Sequence, residues 1–294
     1  MNKIKISSGE RVFGVINVFM MCIFTCIMFY PMWHVVCASF SNPAEYMAHK
    51  GILVRPLGFS LDAYKAMSNN PMILKGYMNT LYIVLASLVL NVIMTPIAAY
   101  VVSRKNSKWS KRIMVMIVFT MYFSGGMIPI YFNIRDLGLL DTHWAIILPG
   151  AIGTFNMIIM KSSFESIPSS LEESAWIDGA GHYTILFRIF LPLTKATLSV
   201  ILLYYAVAHW NGWFNAMLYL NNREMFPLQL ILREILIQND TTSMMQNIDA
   251  GDKALISEIV RYAVIVVATV PILCIYPFIQ KYFERGIMIG AVKG

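Results

Sequence analysis

Six long apolar runs constrain this chain more than any other feature: Val12 to Val36, Tyr77 to Val102, Ile113 to Phe132, His143 to Met160, Leu193 to Trp213 and Ile256 to Ile279. A helix rising ~1.5 Å per residue needs about 20 residues to cross ~30 Å of hydrocarbon, and these runs meet or approach that length. In lipid every backbone N–H and C=O must be paired within the protein, so a spanning segment is a helix or part of a closed barrel. None of the runs shows the period-two alternation of a barrel strand. The expected fold class is therefore all-α transmembrane, six helices in a single domain over residues 1–294. Composition excludes a water-facing alternative, since 57% hydrophobic and 13% charged residues could not clothe a soluble surface.

The cations set the orientation. With the amino terminus in the cytoplasm, inner segments carry fourteen Lys and Arg and outer segments eight, and Arg261 inside the last run completes the 23. Cytoplasmic loops collect Lys and Arg, so both termini are expected inside a bacterial cell membrane crossed several times. The tight cluster from Arg104 to Arg112 is the strongest anchor. It lacks the aromatic interleaving of a nucleic-acid surface, so the net charge of +7 reads as topology and no nucleic-acid partner is expected. Cys37-Ala38-Ser39 resembles a cleavage site, but the run before it exceeds the roughly 7–15 apolar residues of a signal peptide and reads as a retained helix. Cys22, Cys26, Cys37 and Cys274 offer no metal spacing and read as small buried hydrophobes.

The polar chain is spent in two outer segments, Ser41 to Gly76 and Phe214 to Leu255, and one inner segment, Lys161 to Pro192. Outside, Ala63 to Met67 reads as a short helix after Asp62, and Asn239 to Asp252 as a loop tip. Inside, Ser169 precedes Glu172 by three, the spacing of a capping box, which predicts a short helix starting there. Gly179 ends that helix, and an amphipathic stretch from Tyr183 to Phe190 leads to Pro192, where a missing N–H suits a first helical turn. Helix, glycine break and second helix make a rigid knob that a soluble partner can grip.

The segment Glu173-Ser174-Ala175-Trp176-Ile177-Asp178-Gly179-Ala180, followed by Ile189, Leu191 and Pro192, resembles the EAA loop of binding-protein-dependent ABC importer permeases. Every spacing fits, and the one departure is Ser174 where the pattern has Ala. Leu148-Pro149-Gly150, Trp210-Asn211 and the ending Gly290-Ala291-Val292-Lys293-Gly294 resemble the maltose-permease-like carbohydrate group, especially its branch serving complex oligosaccharides. The resemblance implies a type I permease pairing with a second, homologous permease chain, two ATPase subunits and an extracytoplasmic solute-binding protein, with an oligosaccharide as cargo. It further implies that Glu173, Ala175 and Gly179 belong to the surface that couples to the ATPase. Small Ser174, Ala175 and Ala180 permit close approach, Gly179 permits a sharp turn, and Glu172, Glu173 and Asp178 can meet cations on the partner.

No G-x-x-x-x-G-K-[ST] occurs, so ATP and Mg are expected on the partner ATPase, and this chain is expected to bind no cofactor or metal and to be no enzyme. Arg261, three residues after Glu258, is the one ionisable group well inside a run, placed either to line a pore or to snorkel to the surface. A sugar path needs amides and stacking aromatics, and Asn91, Asn156, Tyr204, Tyr205, His209, Trp210 and Asn211 are the candidates. Each has a rival reading as an interhelical hydrogen bond or interfacial belt residue. Ser124-Gly125-Gly126 and Pro129 either bend the third helix or allow close packing. An importer for another solute class, or a secondary carrier, is the alternative.

Overall fold

The structure is a computed structural model that describes residues 8–68, 70–104, 108–238 and 257–274. Among these residues all regular structure is helical. They fall into two compact units: the described parts of Met1–Asn70 with Ile235–Thr269, and those of Pro71–Glu234 with the residues from Val270 onward.

In the first unit, α1 (Ser8–Ser39) runs beyond both ends of the predicted span, and none of the described residues buries the core of that span. Of the cysteines only Cys37 is buried, while Cys22, Cys26 and Cys274 are exposed on the single chain, contrary to the sequence reading. The reason is that apolar faces of a spanning helix are covered by lipid or a second chain rather than by the chain itself. Beyond α1, Asn42 caps α2 (Pro43–Ala48) through Ala44 N–H. The helix expected after Asp62 is present as α3 (Asp62–Ser68), where Ser60 Oγ accepts the Asp62 N–H.

The second unit is organised on α4 (Pro71–Ser103), whose 33 residues at ~1.5 Å each exceed the hydrocarbon thickness. Thr80, Ser87, Asn91 and Thr95 recur at helical spacing and are buried along one face. In a bilayer such a polar stripe belongs against other helices, where its hydrogen bonds can be made.

The third run is two helices: α5 (Lys108–Tyr122) and α6 (Met127–Asp136), turned by 114° at the break. The run expected as the third span, Ile113 to Phe132, is therefore broken by a sharp bend. Gly126 sits at φ +87°, a backbone conformation only glycine adopts cheaply, and Pro129 lies in the first turn of α6, where it needs no N–H partner. The fourth span is α7 (Trp144–Ile147), a 3-10 turn (Leu148–Gly150) forced by Pro149, and α8 (Thr154–Glu165).

Next come α9 (Ser169–Ile177), α10 (His182–Thr184), a π-helical turn (Ile185–Phe190) and α11 (Leu191–Leu193), which carries Pro192 in its first turn. The segment His182–Leu193 meets α12 (Lys195–Trp210) at 85°. Within the run expected as the fifth span, Leu193 to Trp213, the long helix is α12, and Thr194 at the bend donates its hydroxyl to Phe190 O at 2.8 Å. Then follow α13 (Phe214–Tyr219), a 3-10 turn (Arg223–Met225) and α14 (Leu228–Gln238); α15 (Ser257–Cys274) is the described part of the last span. The predicted loop tip from Asn239 and the Gly290 to Gly294 ending lie outside the described residues.

Candidate functional site

The segment from Lys161 to Pro192 builds the knob expected from its sequence, but with a different start. Pro168 is the N-cap and offers no side-chain hydrogen bond, so the capping box read from Ser169 and Glu172 is not formed. Glu172 turns inward to an ion pair with Arg104, the residue after α4. The pair is about one-fifth exposed on each side. The guanidinium carbon lies 4.2 Å above the Tyr100 ring and 4.9 Å from that of Phe190. Burial pulls the Arg104 pKa below its ordinary value, yet a guanidinium titrates so far above neutrality that it stays charged.

The carboxyl end of α9 is a Schellman turn. Gly179 N–H donates to Trp176 O at 3.0 Å and Ala180 N–H to Ala175 O at 2.9 Å, with Gly179 at φ +80°. The turn reverses the chain into α10, where His182 packs edge-on to Trp176 with ring centroids 4.6 Å apart and its Nδ1 lies 3.1 Å from Tyr100 Oη. Beneath, Ala175 joins a buried cluster with Tyr100, Phe164, Ile185, Leu186 and Phe190. Two of the predicted coupling residues therefore face the chain itself: Glu172 through its ion pair and Ala175 through packing. Glu173, Ser174, Asp178 and Gly179 are exposed and Ala180 is half-buried. Around them stand Leu171, Trp176, Ile177 (86% exposed) and Tyr183 (76%), an apolar surface beyond the span ends. In sequence Arg104 reads only as a topology anchor; its partner is 68 residues away, so no local pattern reveals the clamp.

The path candidates divide. Asn91 is buried, its amide donating to Gly150 O at 2.7 Å and Ala151 O at 3.0 Å, which satisfies carbonyls freed by the 3-10 break. Tyr205 is buried too: its hydroxyl accepts the Gly153 N–H at 2.6 Å and lies 2.9 Å from Thr95 Oγ1. His209 lies against Gly150, where an added Cβ would sit 2.9 Å from its ring. Asn91, Tyr205 and His209 thus pin α4, the fourth span and α12 together. Trp210 is buried with Tyr77 at 6.1 Å, while Tyr204 and Asn211 are exposed and Asn156 is half-buried. In the first unit, Arg261 pairs with Glu258 at 3.1 Å.

On the opposite side of the second unit, residues 221–226 are fastened down. Asp141 accepts the N–H groups of Asn221 and Asn222, both at 2.9 Å, and these hold its carboxyl below the usual range. Lys75 donates to Glu224 at 2.5 Å, lowering that carboxyl as well, and Asn79 donates to Glu224 O and Phe226 O. Asp141 adopts φ +57°, which aspartate tolerates better than most side chains. Among the described residues no group of three or more His, Cys, Asp or Glu is placed to hold a metal ion.

The family model described as "Binding-protein-dependent transport system inner membrane component" matches residues 72–289. The chain is 41% identical over 290 residues to the polygalacturonan/rhamnogalacturonan transport system permease protein YtcP of Bacillus subtilis, covering 97% of this chain and 99% of that one. It is 40% identical to protein LplC of the same organism, covering 98% and 97%. Among solved structures, a chain from a bacterial ABC transporter involved in import of the acidic polysaccharide alginate superposes with a TM-score of 0.86 at 32% identity, covering 96% of this chain and 100% of that one.

Proposed function

Since the chain belongs to the family of binding-protein-dependent transport system inner membrane components, we propose that it forms half of the translocation path of an ATP-driven carbohydrate importer. It is the permease subunit, with both termini in the cytoplasm. A second, homologous permease supplies the other half. Two copies of a separate ATPase, which bind ATP and Mg, dock on the cytoplasmic knobs, and a solute-binding protein delivers cargo from outside. Relatives that span the full chain are named for polygalacturonan/rhamnogalacturonan and for alginate. The cargo we infer is accordingly an oligosaccharide rich in uronic acids.

The observation that carries the coupling role is the knob itself: a nine-residue helix closed by a Schellman turn, braced from α4 by Arg104 and presenting exposed apolar side chains. A merely solvated loop has no use for Ile177 and Tyr183 in water. ATP-driven approach of the two ATPases moves the knobs, and each knob transmits the motion because its brace ends on the α4 terminus.

The test is Gly179. An added Cβ meets nothing within 4 Å in this chain, so Gly179→Val strains only the φ +80° backbone locally while adding bulk toward the partner. It should abolish substrate-stimulated ATP hydrolysis in the assembled importer while the chain stays folded in the membrane. Gly179→Asn, which tolerates that backbone, separates strain from docking: retained coupling places the fault in the backbone, lost coupling in the interface. Unchanged stimulated hydrolysis in Gly179→Val refutes the assignment.

A further inference from the structure

Where α4 ends and α5 begins, beside the last turns of α8, lies an open pocket of about 270 Å³. Arg104, Lys111 and Lys161 line it with one carboxylate, Glu165, and Met114 and Val115 give it an apolar wall. Two of the cations are already answered: Arg104 by Glu172, and Lys161 by Glu165 at 2.7 Å. Lys111 is exposed and has no ion pair among the described residues. Among the described residues the pocket therefore carries one uncompensated positive charge, and Lys161 keeps N–H donors beyond the one it gives Glu165.

Its depth is set by the spans around it. Two spans end here and a third begins, so the cations sit where hydrocarbon gives way to headgroups. Val115 is 64% exposed on the wall, and Trp109 is exposed with the Arg112 guanidinium 5.3 Å from its ring, an arrangement suited to the interface. A pocket with cations at headgroup level and an apolar side open to hydrocarbon is matched by an amphiphile with one negative charge. A soluble anion would leave Met114 and Val115 uncovered, and a zwitterionic lipid would bring its own cation toward Lys111.

We propose that this pocket is a binding site for the phosphodiester headgroup of one anionic phospholipid, held by Lys111 and Lys161, with an acyl chain along Met114 and Val115. The site rests on the permease reading only for its depth in the bilayer and is independent of cargo and ATPase.

The test is native mass spectrometry of the detergent-purified full chain, titrated with phosphatidylglycerol and with phosphatidylcholine of the same acyl chains. Phosphatidylglycerol should bind at least about tenfold more tightly. Lys111→Gln should weaken it about fivefold, the effect of one interfacial cation, Lys111→Glu should weaken it further, and Lys111→Arg should retain it. Arg112→Gln, in the same basic cluster but outside the pocket, should change nothing. Equal retention of both lipids overturns the proposal, as does an equal loss in Arg112→Gln, which would mean a diffuse cloud of charge. Displacement by millimolar inorganic phosphate would make it a soluble-anion site and overturns it too. Since the readout is lipid retention, failed coupling or a different cargo leaves it unmoved.

Discussion

Removing the Arg104 guanidinium should loosen the knob far more than removing its carboxylate partner. Each member of the Arg104–Glu172 pair is about one-fifth exposed, between exposed pairs, worth about 0.2–1 kcal/mol, and fully buried pairs, where losing one partner costs about 3–5 kcal/mol. About 2 kcal/mol is the corresponding figure. Arg104→Ala also loses contact with the Tyr100 and Phe190 rings, at about 0.5 kcal/mol or more each, for a total near ~3 kcal/mol. At about 1.4 kcal/mol per tenfold, amide hydrogen exchange in α9 and the Schellman turn should accelerate roughly 100-fold in nanodiscs, with α8 unchanged. Glu172→Gln should accelerate it roughly tenfold, since the amide keeps one neutral hydrogen bond. The double variant should exchange no faster than Arg104→Ala, because in that background Glu172→Gln removes an unpaired carboxylate rather than a bond. Multiplying effects, or exchange rising in α8 instead of α9, would refute the clamp.

Three further outcomes follow from the geometry. Tyr205→Phe strands the Gly153 N–H and Thr95 Oγ1 inside the membrane domain, so it should cost about 1–3 kcal/mol, read as a lowered unfolding temperature in detergent; an unshifted transition would contradict the pin between spans. The Asp141 carboxyl has its folded pKa depressed below the ordinary 3.8, so its anchoring of residues 221–222 should hold fully above that value and be lost only as pH falls through the depressed one; labelling of a cysteine placed at Asn221 should be flat from neutrality to mild acid, whereas Asp141→Ala should raise it at every pH. At the 114° break, Gly126→Val should cost about 1–2 kcal/mol or more because it imposes φ +87° on a branched residue, while Gly125→Ala, whose Cβ would meet Pro129 at an ordinary 3.5 Å, should be tolerated; equal stability of the two variants would argue against the break.

The spans and the knob were legible because hydrophobic length and Gly or Pro punctuation are local signals. Gly179 was readable as a terminator, since only glycine takes its backbone conformation cheaply, and the Schellman turn is that reading realised. The third-span break was half legible: Ser124-Gly125-Gly126 permits a turn, but nothing in three residues says whether the chain takes it. The capping box misled because Glu172 had a better partner in Arg104, and a contact across 68 residues leaves no trace in either neighbourhood. The polar residues of α4 and α12 stand out in sequence because each is costly in lipid unless its hydrogen bonds are made. Which way they turn depends on rotation about the helix axis, and a helix that is apolar nearly all round does not encode that rotation. In this chain Asn91 and Tyr205 turn to neighbouring spans, while Tyr204 and Asn211 turn outward.

The central claim is that the segment from Ser169 to Leu193 passes force from an ATPase into the spans. Ile177, the most exposed apolar residue of α9, reports on it directly: in the assembled importer, Ile177→Cys carrying a short thiol cross-linker should join to the ATPase subunit, with a yield that changes when ATP is added. Cross-linking to no second polypeptide, or labelling of that cysteine in intact cells by a reagent that cannot cross the membrane, would contradict it.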